Sequence, residues 1–215
     1  MLDKNIIKYT ELFLLGFTFP VLIIFLGLSE YILIFLWLIF FYTLVLYFFL
    51  YKQKKEYLNF FKIKQHKNFL LLLIVRWLLL SALLFFFTYF FFPERLFIIL
   101  KKDIALLYKI LILYPFFSAF PQEFIFCTFF FKRYANILKT EKKMIIMCAM
   151  VFCFAHIFVI NWIAPLLGIF GGYIFASTYK KTKSLLIVSI EHALYGNTIF
   201  FLGLGWFFWG GSVVN

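Results

Sequence analysis

Acidic residues are scarce in this chain: 9 Asp and Glu stand against 21 Lys and Arg among 215 residues, and charged side chains make up 14% of the total. Soluble domains carry roughly 25%, so the sequence cannot furnish a water-facing shell around a core. Cysteine is rarer still, at 3 residues. Cys127, Cys148 and Cys153 form no CxxC pair and no metal-ligand spacing, which argues against a disulfide framework or a zinc–thiolate centre and leaves them as small apolar side chains. No internal repeat, low-complexity linker or soluble domain interrupts the chain, so residues 1–215 read as a single membrane domain. The first apolar run also lacks the short core and small-residue cleavage site of a removable signal peptide.

What the chain has instead is hydrocarbon. Hydrophobic residues make up 66% of it and 36 residues are Phe, with a mean hydropathy of +1.01. A membrane span needs about 20 predominantly apolar residues. Runs that approach this length are Leu12 to Leu28, Tyr31 to Tyr51, Phe69 to Phe92, Ile104 to Phe131, Met144 to Ala164, Pro165 to Tyr179 and Leu185 to Trp209. The expected architecture is an all-α, polytopic transmembrane bundle of about seven spans. Pro115 and Pro121 interrupt the fourth, which is therefore kinked or broken, and irregular backbone at that depth must face protein or a cavity.

The net charge of +12 resides in short clusters between the runs. Lys52, Lys54, Lys55, Lys62, Lys64 and Lys67 follow the second run; Lys132, Arg133, Lys139, Lys142 and Lys143 follow the fourth; Lys180, Lys181 and Lys183 follow the sixth. All three fall on one side of a seven-span topology, which places that side and the amino terminus in the cytoplasm. A basic excess of this kind marks loops between spans, so a nucleic-acid partner is not expected. The stretch Tyr57 to Lys67 mixes aromatic and basic residues and reads either as an interfacial helix or as a plain basic loop.

Ionisable side chains inside lipid cost at least ~2.5–3.5 kcal/mol on insertion scales, so each is a functional-site candidate. Five qualify: Arg76, Glu123, His156, Glu191 and His192. Glu123 lies nine residues before Lys132, His156 thirteen after Lys143 and His192 nine after Lys183; at ~1.5 Å per residue they sit roughly 13, 20 and 13 Å from the cytoplasmic side. Three helices thus bring a carboxyl and two imidazoles to similar depth. Such a group suits acid–base activation of water, or coordination of a divalent metal that lowers the pKa of its water. The plain structural alternative is hydrogen bonding between helices, at about 1 kcal/mol per contact. Arg76, near the basic loop, can snorkel or pair with Glu191 or Glu123.

Three segments in order resemble the CPBP intramembrane proteases, which include CAAX-processing endopeptidases and proteins of bacteriocin self-immunity. That family reads EExxxR, then FxxxH, then HxxxN. The matching segments here are Pro121-Gln122-Glu123-Phe124-Ile125-Phe126-Cys127, Phe152-Cys153-Phe154-Ala155-His156 and Glu191-His192-Ala193-Leu194-Tyr195-Gly196-Asn197. The resemblance covers about residues 118–205. It departs from the family at Gln122, where the first glutamate is expected, at Cys127, where arginine is expected, and at Gly196, where asparagine is expected with Asn197 one residue later.

The resemblance implies an intramembrane endopeptidase, metalloprotease-like or metal-free, cutting a membrane-anchored or lipidated protein in a bacterial plasma membrane. In it Glu123 and His156 activate water while His192, with Asn197, orients the carbonyl; Gln122, Glu191 and Arg76 support them, and the cavity opens to the cytoplasm. Zinc held by Glu123, His156 and His192 is one option for a cofactor, and none is the other. Gln122 and Cys127 motivate an alternative, a catalytically impaired member acting as a scaffold or immunity factor. A proton-coupled transporter would use the same buried groups, although no inverted repeat accompanies them.

Overall fold

Backbone in lipid must satisfy its own hydrogen bonds, and a helix does this within one segment. The computed structural model describes residues 4–51 and 67–209, and among them there is no strand. Seven principal helices follow one another: α1 (Lys4–Phe25), α2 (Ser29–Tyr51), α3 (Lys67–Phe91), α4 (Ile104–Arg133), α5 (Glu141–Phe154), α6 (Ile163–Thr182) and α7 (Leu185–Leu202). Each overlaps one of the seven apolar runs. Five of them, α1 to α4 and α7, are long and apolar enough to cross a membrane. The protein is therefore an integral membrane protein built as an all-α bundle. Of the aromatic and basic stretch 57–67, only Lys67, the first residue of α3, is among the described residues.

Helix ends differ from the hydropathy runs where side chains compete for backbone groups. The run from Met144 stays apolar to Ala164, yet helix α5 stops at Phe154 and residues 155–162 form turns. Asn161 organises this break. Its Oδ1 accepts the Ala164 amide at 2.8 Å, and its Nδ2 donates to the carbonyls of Val159 at 2.9 Å and Phe207 at 2.8 Å. Such local bonds favour a turn over helix continuation, and Pro165 is tolerated in the first turn of α6 because no N–H is needed there. As a result His156 lies in a turn rather than mid-helix.

Helix α4 absorbs two prolines through its neighbours. A proline removes the N–H that would serve the carbonyl four residues earlier, so Pro115 and Pro121 strand those of Leu111 and Phe117. Asn197 Nδ2 donates to the first at 3.1 Å and Trp37 Nε1 to the second at 3.2 Å. Two π-helical stretches, Pro115–Ala119 and Phe124–Phe129, carry the remaining misfit, a common device near functional sites. Trp37→Phe keeps the ring but removes that donor. It is expected to lower stability by about 1 kcal/mol, measured as a shift of the unfolding midpoint in detergent.

Close approach of α5 and α6 follows from small residues spaced by four, Gly168, Gly172 and Ala176. A Cβ on Gly172 would lie 2.8 Å from Phe152 Cβ and 3.0 Å from Ala149 Cα, so glycine is required for this contact. On the basic face, Arg133 grips Glu11 through Nε at 3.0 Å and Nη2 at 2.7 Å, and the Tyr134 hydroxyl donates to Glu11 at 2.8 Å. This fork ties α1 to the end of α4. Burial and then the Glu11 carboxylate push the Tyr134 phenol well above its ordinary range.

Candidate functional site

Glu123 closes the short α-helical stretch Phe120–Glu123 between the two π segments of α4, and it is fully buried. Neighbouring helical residues diverge by about 100°, and here the two residues of the Gln122-Glu123 pair part company. Gln122 enters the wall of a large cavity, while Glu123 turns to α7 and meets His192. Its Oε1 is 2.7 Å from His192 Nδ1. A carboxylate only accepts, so Nδ1–H donates, and Nε2 is left to accept the Tyr114 hydroxyl at 2.9 Å. Tyr114, His192 and Glu123 thus form one directed chain from α4 to α7 and back. Phe175 stacks on the imidazole with ring centroids 4.5 Å apart, which fixes the ring plane.

The cavity has a volume of about 1680 Å³ and a mainly apolar wall contributed by all seven principal helices. Its polar wall includes Tyr114, Ser118, Gln122, His156 and His192. Glu123 reaches it only through His192. Gln122 Nε2 donates to Ser118 Oγ one turn back at 2.8 Å. His156 donates from Nδ1 to the Phe152 carbonyl at 2.7 Å, because a carbonyl can only accept, and this leaves the lone pair on Nε2. Both imidazoles contact the Phe152 ring, His156 at 4.7 Å and His192 at 5.6 Å between centroids.

The residues singled out in the sequence therefore divide into separate groups. Glu123 and His192, placed at equal depth by the spacing, are in direct contact; His156, the deeper one, shares the cavity with His192 but is hydrogen-bonded to Phe152, not to Glu123. Asn197 is spent on the Leu111 carbonyl rather than beside the His192 imidazole, as its five-residue offset would require. Glu191 faces away from its neighbour His192. Arg76 Nη2 donates to Glu191 and, at 2.8 Å, to Thr178, and Thr178 donates to the second Glu191 oxygen at 2.6 Å. This triad fastens α3, α6 and α7, and the Trp77 to Thr198 bond at 3.0 Å extends the seam. Tyr114 and Thr178 were not foreseen. The one sequence sign of Tyr114 is its place immediately before Pro115.

The donor set as arranged does not fit a zinc ion. Among the described residues no three His, Cys, Asp or Glu side chains gather around one point. Both nitrogens of His192 are engaged within the protein, and one of His156 is.

In a helical membrane bundle, a buried carboxylate–imidazole pair beside a large cavity is a candidate functional site. The particular family follows from comparison: residues 104–198 match the family described as type II CAAX prenyl endopeptidase Rce1-like. That match, over less than half of the chain, supports a likeness to the CAAX protease family. The match runs from the first residue of α4 into α7 and includes every site residue named above except Arg76 and Trp77. No match was found among curated proteins or solved structures. Members of the family are CAAX-type intramembrane endopeptidases, which act on membrane-anchored proteins.

Proposed function

We propose that the protein hydrolyses a peptide bond of a membrane-associated or lipidated protein, with His192 as the base and Glu123 as the group that orients it. The observation that carries this reading is the Glu123–His192 bond, which fixes the tautomer so that the lone pair on Nε2 is turned toward the cavity wall. A water in the cavity gives its proton to Nε2 while its oxygen bonds to the substrate carbonyl carbon. When the C–N bond breaks, the same proton passes from Nε2 to the leaving nitrogen. His156 Nε2 offers a second acceptor in the same wall, for the water or a substrate N–H, and Gln122 offers an amide. The cavity exceeds the ~300–1,000 Å³ of small-molecule sites, and its apolar wall suits a hydrophobic or lipid-modified peptide. The basic loops favour a cytoplasmic amino terminus, and the family resemblance favours a bacterial plasma membrane.

Reconstituted protein is expected to cut a lipidated peptide, as followed by mass spectrometry, and His156→Ala to slow that cut by about 10²-fold or more. Chelation should leave the rate unchanged in a metal-free mechanism, and loss of activity that zinc restores would refute it. Gln122 favours a second reading, because the wall carries an amide where the family expects a carboxylate. An inert wild type made active by Gln122→Glu would identify an impaired member that serves as a membrane scaffold or immunity factor.

A further inference from the structure

We propose that Tyr114 is a catalytic residue of this hydrolysis, donating its hydroxyl to the substrate carbonyl oxygen as that atom becomes an oxyanion. The assignment rests on the hydrolase reading above and adds a residue to it. Three separate features of α7 converge on this one tyrosine. His192 accepts its hydroxyl at 2.9 Å. Gly196, one helical turn beyond His192 and on the same face, admits its ring: a Cβ there would lie 2.1 Å from Tyr114 Cε1, 2.4 Å from Cζ and 2.5 Å from the hydroxyl oxygen. Asn197 holds the Leu111 carbonyl, in the turn that carries Tyr114 into the Pro115 break.

Any side chain at position 196 would exclude the phenol, and the phenol's hydroxyl occupies the space which a polar side chain at 196 would fill. The segment Gly196-Asn197 is therefore a cradle for a residue of α4. Phe200 closes it with an edge contact at 5.4 Å. In the resting site the hydroxyl and His192 Nε2 satisfy each other, so neither is a stranded polar group in an apolar surrounding. An arriving water takes Nε2 and frees the hydroxyl to turn to the carbonyl beside it. Attack moves the carbonyl π electrons onto oxygen, which accepts the Tyr114 hydrogen bond; collapse expels the nitrogen with the proton from His192. The tyrosine keeps its own proton throughout. Loss of one such donor lowers kcat by about 10²–10³ in other acyl-transfer sites.

The test compares wild type, Tyr114→Phe and Tyr114→Ala/Gly196→Asn for cleavage of one lipidated peptide, with unfolding midpoints in detergent. Tyr114→Phe keeps the packed ring, so kcat should fall about 10²–10³-fold while KM and the midpoint stay near wild type. The double variant vacates the ring space and places an amide donor one turn from His192, and it should recover part of that loss. An active wild type matched by Tyr114→Phe overturns the assignment alone. A fall confined to KM, or tracking a lowered midpoint, overturns it as well, since the ring then serves only packing. A wild type that cuts no peptide overturns the hydrolase reading and this assignment together.

Discussion

Glu123→Gln is expected to lower kcat by roughly 10⁴-fold with KM and folding nearly unchanged, an effect of the size seen when the carboxylate behind a catalytic histidine becomes an amide. The substitution preserves shape at a site with no exposed surface, so packing contributes little. Its effect is on proton placement. The carboxylate can only accept from His192 Nδ1, which leaves a lone pair on Nε2. A carboxamide NH₂ can donate to Nδ1 instead, which moves the ring proton to Nε2 and makes Tyr114 an acceptor. The whole hydrogen-bonded chain then runs backwards and His192 presents no base to the cavity. Single-turnover cleavage separates this chemical step from product release. Turnover equal to wild type would show that the Glu123–His192 bond is structural, and catalysis would have to be sought at His156 and Gln122.

Much of the architecture was legible because each helix had to be apolar along its length, and the loops had to be basic or short. Runs of hydrophobic residues mark all seven helices, within about three positions at most ends but eight short of the start of α1 and seven beyond the end of α7. They fail at the turn after α5, where the sequence stays mostly apolar across the break and His156 and Asn161 are its polar signs. Directions of side chains were harder to read. Which of Gln122 and Glu123 faces the cavity depends on the π segments on either side of them, where the carbonyl-to-amide offset changes and an ideal 100° step no longer applies. Asn197 was visibly off the His192 face, but its use is intelligible only once α4 lies against α7 and Pro115 has stranded Leu111. Tyr114 is an aromatic residue in a chain that is 25% aromatic, so composition gives it no contrast. The space at Gly196 that admits it exists only in three dimensions.

Arg76→Leu is expected to destabilise the fold by about 3–5 kcal/mol, the cost of breaking a buried pair and stranding its partner. The partner is Glu191, which has no exposed surface, whereas the Arg76 side chain retains 27% of its own. Two effects of different size compete here. A neutral hydrogen bond between membrane helices contributes only about 1 kcal/mol, because the unfolded chain in lipid also finds partners. A lone carboxylate has no such refuge and must bind a proton or draw in water. Thr178 softens this, since its hydroxyl still serves one Glu191 oxygen at 2.6 Å, but it supplies no charge. The double variant Arg76→Leu/Glu191→Leu therefore discriminates. If stranded charge dominates, it regains most of the lost stability, as paired replacement by apolar residues often does. If the contact itself dominates, the double variant is no more stable than the single one. Unfolding midpoints of the two variants in the same detergent decide between these terms, and equal midpoints for wild type and Arg76→Leu would remove the triad from the account of how α3, α6 and α7 are held.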